Sequence, residues 1–316
     1  RKQVGMKILM TGGAGFQGSY LVEHLLAQGH EITVLNTYSE EASLNTSSFG
    51  PLVSIVWGSV TDPEIVEKTV RGHEVVIHMA ARINVDESIK SPSSDLAVNV
   101  NGTYNVLEAV RQLGGRLIYA SSCEVYGADS MAATSETAEL RPHSPYAASK
   151  AAADRLCFAY HKTYGLEVTI VRPCNIYGPR QKSGVGGAVI PIFVDRGLAN
   201  KPLVVFGNGQ QRREYMHIDD LVVGYDIILQ RSTWRGDVFN LGTGDTPSIQ
   251  EIADYVAGKT GVSVEYTSAR PGEVPAFRLN NQKASELGFT PHVPFFEGLQ
   301  DYIESRKAMA VPSRSS

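Results

Sequence analysis

Cysteine is scarce in this chain: there are three in 316 residues, at Cys123, Cys157 and Cys174. An odd count with no CxxC pair does not read as a disulfide framework. It fits reduced thiols in a cytoplasm. Long apolar runs are missing too, and none approaches the ~20 residues that cross a bilayer, so no membrane partner is expected. The eight histidines show no ligand spacing, so no metal site is expected. Charge of one sign is also lacking. Lys and Arg total 29 against 33 Asp and Glu, a formal net charge of −4, with no basic stripe or tail. That argues against nucleic acid as a partner. The opening RKQVGMKILMTGG enters a glycine loop without the apolar region and cleavage site of a secretory signal. A cytoplasmic location is the expectation.

What is present is an alternation. Short runs rich in Val, Ile and Leu (KILMTG, EITVLN, VSIVWGS, EVVIHMAA, RLIYASS, EVTIVRPCNIYG) are separated by helical patterns. Near-continuous apolar strands, each followed by a helix, imply a parallel sheet covered on both faces. The fold class is α/β, a Rossmann-like doubly wound parallel sheet. After about Tyr177 the rhythm breaks into glycine-rich and turn-rich segments. Residues 6–175 read as the dinucleotide-binding domain, with 215–245 returning to it. Residues 176–308 read as a smaller, irregular C-terminal substrate lobe, and 309–316 as a tail.

The loop TGGAGFQG follows the first strand and opens the first helix, with Gly12, Gly15 and Gly18 at GxxGxxG spacing. Glycine permits the tight turn and lets the backbone approach a pyrophosphate facing the helix N-terminus. Asn36 ends the second strand, where an acid would bind the adenosine ribose. An amide still hydrogen-bonds a 2′-hydroxyl, and no Arg or Lys lies between Asn36 and Ser48 to attract a 2′-phosphate. NAD is therefore the expected cofactor. SPYAASK places Tyr146 and Lys150 at i and i+4, on one helix face. A nearby ammonium would lower the tyrosine's pKa, and a phenolate could then take the proton of a sugar hydroxyl.

Together, GxxGxxG, the strand end SSCEVYG and YxxxK resemble the extended short-chain dehydrogenase/reductase family, and within it the nucleotide-sugar epimerases and dehydratases. VIHMAA, NVNGTYNVLEA, RPCNIYGP, GNGQQRREYMHIDD and ARPGE match further pieces. The resemblance implies a fold, NAD and residue roles. Gly12, Gly15, Phe16, Gln17, Gly18, Asn36, Ser59, Val60, Ala80, Ala81, Asn99 and Pro173 would surround the cofactor. Ser122 would hydrogen-bond the C4 oxygen, Tyr146 would be the base for hydride transfer, and Lys150 would bind the ribose. Asn175, Arg213 and Arg270, with Val189 and Glu273, would hold the nucleotide sugar, since guanidinium suits diphosphate. Arg180 is a candidate cation for a sugar carboxylate. Two positions depart from the family pattern: Asn36 and Ser59 stand where acids are usual. Relatives pair two long helices per subunit, which here would be about Ser93 to Leu113 and Pro145 to Tyr164, so a homodimer is expected.

The family's chemistry turns on the two residues after the hydroxyl. Dehydratases resemble Thr-Asp-Glu there, with Asp as acid and Glu as base, while simple 4-epimerases often carry small or neutral residues. This chain has Ser122-Cys123-Glu124. Glu124 keeps the base. Cys123 stands in the acid's slot, where a protonated thiol could donate. That slot also resembles the UDP-N-acetylglucosamine 5,6-dehydratase of tunicamycin biosynthesis. Dehydration at C5 and C6, C4 epimerisation and uronate decarboxylation all stay open. A UDP-sugar, UDP-N-acetylglucosamine first, is the expected substrate.

Overall fold

The computed structural model describes residues 5–127, 131–181, 188–231, 233–269 and 276–310. Eleven strands are formed: β1 (Lys7–Thr11), β2 (Glu31–Asn36), β3 (Val53–Trp57), β4 (Val75–His78), β5 (Arg116–Ala120), β6 (Val168–Pro173), β7 (Asn175–Tyr177), β8 (Leu203–Phe206), β9 (Tyr215–His217), β10 (Asp237–Leu241) and β11 (Val264–Thr267). Seven of them make one parallel sheet in the order β10-β6-β5-β4-β1-β2-β3. The order reverses between β1 and β4, and ligands of open α/β sheets bind beyond the strand C-termini at such a point. Each face of the sheet has its own apolar core. Ile8, Met10, Val34 and Ile77 point to one, and Leu9, Leu35, Val76 and Leu117 to the other.

The helices begin where local chemistry permits. α1 (Phe16–Ala27) follows the glycine loop, and no side chain caps its first turn. α2 (Glu40–Thr46) is capped by Ser39. α3 (Pro63–Val70) has Asp62 accepting from Glu64 and Ile65 N–H, with proline in its first turn, as the sequence indicates. α4 (Val85–Lys90) and α5 (Pro92–Asp95) lead through a widened turn, Leu96–Asn101, into α6 (Gly102–Leu113). The long helix expected over Ser93 to Leu113 is thus interrupted in its hydrogen-bond pattern. α7 (Pro145–Tyr164) starts at the Ser144 cap and stops at left-handed Gly165.

The run EVTIVRPCNIYG does not stay one strand. Pro173 ends β6, Cys174 N–H donates to the Leu241 carbonyl, and β7 pairs with β9 outside the main sheet. α8 (Val189–Leu198), α9 (Ile218–Leu229), α10 (Ile249–Thr260), α11 (Gln282–Ser285) and α12 (Phe295–Ala310) complete the chain. A third core around Phe193, Val205, Ile252, Leu299 and Tyr302 holds the C-terminal elements. No helix among the described residues is long and apolar enough to cross a membrane.

Candidate active site

A cleft of about 570 Å3 lies beyond the C-terminal ends of the sheet strands. At one end the glycine loop forms its floor. A Cβ on Gly12 would sit 2.6 Å from Ala80 N, and one on Gly18 would sit 2.3 Å from the Gly12 carbonyl oxygen. Side chains at these positions would collide with backbone and force the loop open, and the uncapped first turn of α1 leaves its N–H groups for an anion. Gly15, Phe16, Gln17, Asn36, Ser59, Val60, Ala80, Ala81 and Pro173 line the cleft as expected from the sequence. This set fits a dinucleotide.

Two expected contacts are built differently. Asn36 accepts from Ala14 N–H at 3.3 Å and donates to the Thr37 carbonyl at 2.8 Å, so its amide braces the glycine loop. Asn99 is buried a layer behind the cleft wall. It holds Arg82 through both backbone groups and donates to Ser149 Oγ at 2.8 Å. Arg82 itself, passed over in the sequence, lines the cleft and pairs with buried Asp95 at 3.1 Å. Its position directly after Ala81 was the available signal.

At the other end β5 delivers Ser121 to Glu124, and α7 delivers Tyr146 and Lys150. Ser122 accepts from Glu124 N–H at 3.2 Å, capping the short turn Cys123–Tyr126. Burial pushes the Tyr146 phenol above its usual value, and the neighbouring Ser122 hydroxyl pulls it partly back. The expected lowering by Lys150 does not dominate, because Lys150 donates to the Ala120 carbonyl and lies 4.5 Å from the Tyr119 ring centre. Burial brings that ammonium down to about 8. Surrounding protein raises the Glu124 carboxyl, opposed by Arg213 and His143. Glu124 keeps an exposed surface at the cleft wall, as a group that meets a substrate must.

Cys123 departs from the expectation of an accessible acid. Only 5% of it is exposed, it packs into the sheet core, and burial pushes its thiol well above the usual value. Arg180 is also corrected. Its guanidinium is held by Glu23 at 2.8 and 3.0 Å and by Ser19 Oγ at 3.0 Å, over the Tyr20 ring, so it is not a free cation for a sugar carboxylate.

A second cavity of about 90 Å3 adjoins the cleft and shares Cys123, Glu124 and Asn175 with it; Gly127, His143, Arg213 and Phe277 complete its lining. Asn175 N–H and amide both donate to the Glu214 carbonyl, at 3.1 and 3.0 Å, which sets β7 beside the Arg213 segment. Val189 opens α8, next to Ala188 on the cleft wall. Arg270 and Glu273 lie outside the described residues. Among the described residues no cluster of His, Cys, Asp or Glu is arranged to hold a metal ion.

A glycine-floored dinucleotide cleft ending at a Ser–Tyr–Lys set defines a hydride-transfer enzyme acting on a hydroxyl-bearing carbon. The comparisons agree. The profile of the NAD dependent epimerase/dehydratase family matches residues 8–242. A dTDP-glucose 4,6-dehydratase of Streptomyces niveus is 35% identical, over 95% of this chain and 92% of its own. A putative UDP-glucose 4-epimerase of Methanocaldococcus jannaschii is 33% identical, over 95% and 98%. The crystal structure of the dTDP-glucose 4,6-dehydratase DesIV from Streptomyces venezuelae, with NAD and TYD bound, superposes at TM-score 0.89. It is 34% identical and covers 96% of this chain and 97% of that one. This chain belongs to the NAD-dependent epimerase/dehydratase family, in the extended short-chain dehydrogenase/reductase group. It is a nucleotide-sugar epimerase or dehydratase that uses NAD.

Proposed function

We propose that this chain is a nucleotide-sugar dehydratase working through a 4-keto intermediate, with UDP-N-acetylglucosamine the first substrate to test. One observation carries the reading: the Glu124 carboxyl lines the same cleft as Ser122 and Tyr146, and the surrounding protein raises it above the usual carboxylate value, the direction that suits a base. A 4-epimerase needs no carboxyl at this point.

Bound NAD supplies a hydride acceptor and later a donor beside the sugar. Tyr146 takes the C4 hydroxyl proton, with Ser122 beside it. Lys150, one helical turn on, holds positive charge near the ribose. A carbonyl at C4 makes the C5 proton acidic, and Glu124 removes it. The C6 hydroxyl then departs, and the product is a 4-keto-6-deoxy sugar or a 5,6-ene according to where hydride returns. Arg213 and Asn175 hold the diphosphate side, with Val189 beside the cleft wall. A 4-epimerase is the second reading, supported by the burial of Cys123, which empties the acid's usual slot. Decarboxylation loses its cation with Arg180 held by Glu23.

The test is incubation of the purified protein with a panel of UDP-, GDP- and dTDP-hexoses in D2O, read by mass spectrometry and proton NMR. Loss of water from one sugar supports dehydration, and Glu124→Gln should slow it by ~10²–10⁴-fold. Unchanged composition, inverted C4 and no deuterium at C5 would sink the dehydratase reading in favour of epimerisation. The same reading includes a homodimer across the faces of α6, α7 and the widened turn before α6, where Leu96 is 52%, Tyr104 49% and Tyr164 56% exposed.

A further inference from the structure

The dehydratase reading leaves one role unfilled. A departing C6 hydroxyl needs a proton, and the residue placed for it by sequence, Cys123, is packed into the core. The cavity beside Glu124 offers an alternative. It is lined by His143 and Arg213 as well as Glu124. A guanidinium gives up no proton in this range. Ser122 and Tyr146, which line the main cleft, are already assigned to the C4 hydroxyl in the reading above.

His143 is held against the Glu124 turn by the backbone. Arg141 N–H donates to the Tyr126 carbonyl at 3.3 Å. Gly127 has φ +55°, and a Cβ there would lie 1.7 Å from the Arg141 carbonyl oxygen and 3.0 Å from the His143 ring. The missing side chain at 127 is what lets the loop before α7 lie on the turn that carries Glu124. His143 lines the cavity as an exposed residue, whereas Cys123, which also lines it, is only 5% exposed. Histidine is also the side chain that changes charge nearest neutrality, as a proton donor requires.

We propose that His143 is the general acid that protonates the departing hydroxyl while Glu124 removes the neighbouring C5 proton. This assignment rests on the dehydratase reading above. The step balances. The C5–H pair forms the C5–C6 double bond, the C6–O bond breaks, and the His143 proton leaves with the hydroxyl as water. Solvent then returns a proton to the imidazole.

The test uses the NAD-loaded protein with the sugar that loses water in the panel, in D2O. Two readouts are followed: water loss, and deuterium entering C5 of recovered substrate. In His143→Asn, water loss should fall about 100-fold while C5 exchange persists, because Glu124 is untouched. Persisting exchange also shows that the variant folds. Added imidazole should restore part of the rate in His143→Gly. Unchanged water loss in His143→Asn overturns the assignment. So does loss of C5 exchange along with water loss, since His143 would then act through Glu124 or on folding. A larger cost for Cys123→Ala than for His143→Asn in the elimination step returns the role to the thiol. If the wild-type protein only inverts C4, the dehydratase reading has failed, and the wild-type result alone says so.

Discussion

At position 36 a neutral amide does two jobs that an acid would do differently. Its oxygen steadies Ala14 in the glycine loop and its nitrogen is spent on Thr37. A ribose diol bound here, as the sequence expects, would meet a crowded acceptor, and a 2′-phosphate would meet no repulsion. In Asn36→Asp the carboxylate keeps the Ala14 contact and adds negative charge. NAD should bind several-fold tighter, and NADP at least about 10-fold weaker, as like charges are brought together. Calorimetric titration of both cofactors checks this; equal shifts for both would mean that position 36 only braces the loop. Residues of this kind are half legible in sequence. Ser122, Glu124, Tyr146 and Lys150 were readable because strand ends and i, i+4 spacing fix where side chains emerge. The burial of Cys123 was not readable because a strand end leaves it undecided, nor was the pairing of Arg180, whose partner Glu23 lies 157 positions away in the chain.

Among the elements, β4 is a fully enclosed central strand, with all four residues buried. It ends on His78, whose ring lies between Thr11 Oγ1 at 2.6 Å and Thr103 Oγ1 at 3.0 Å. Burial, with Lys150 nearby, pushes the imidazole down from 6.5 to about 3. The unfolded chain therefore binds a proton below pH 6.5 that the folded chain refuses until about pH 3. Stability is unaffected by His78 above pH 6.5 and is lost as pH falls through that window, by up to ~1.4 kcal/mol per pH unit. Urea unfolding of the wild type and His78→Gln across pH 4.5 to 7 tests this. The variant should show the shallower decline below pH 6.5, and parallel curves would remove His78 as the cause. Periodicity and caps made most elements readable, as with Asp62–Pro63 and Ser144–Pro145. Two failures share one cause, which is that hydrogen-bond partners are set by tertiary contacts. These are the widened turn Leu96–Asn101 and the break of the last long strand at Cys174, where the local pattern continues but the pairing does not.

For the whole molecule, the apolar residues left open on the widened turn and on α6 and α7 bear on the proposed homodimer. If the protein dimerises there, Leu96→Glu with Tyr104→Glu should shift it from dimer to monomer in sedimentation equilibrium; a dimer that does not shift, or a monomeric wild type, would overturn that interface. The order of strands carries a different consequence. β10 enters the main sheet beside β6 only after the chain has left it to build β7, β8 and β9. The elements outside the main sheet, read from the sequence as the substrate lobe, thus form an excursion followed by a tail, threaded around a returning strand. Exchanging this half with that of a relative to change the accepted sugar cannot be done with one splice near residue 175. A single junction there would swap β10 along with the pocket and ask a foreign edge to match β6. A workable chimera needs two grafts, one on each side of residues 237–241, with the native strand kept between them.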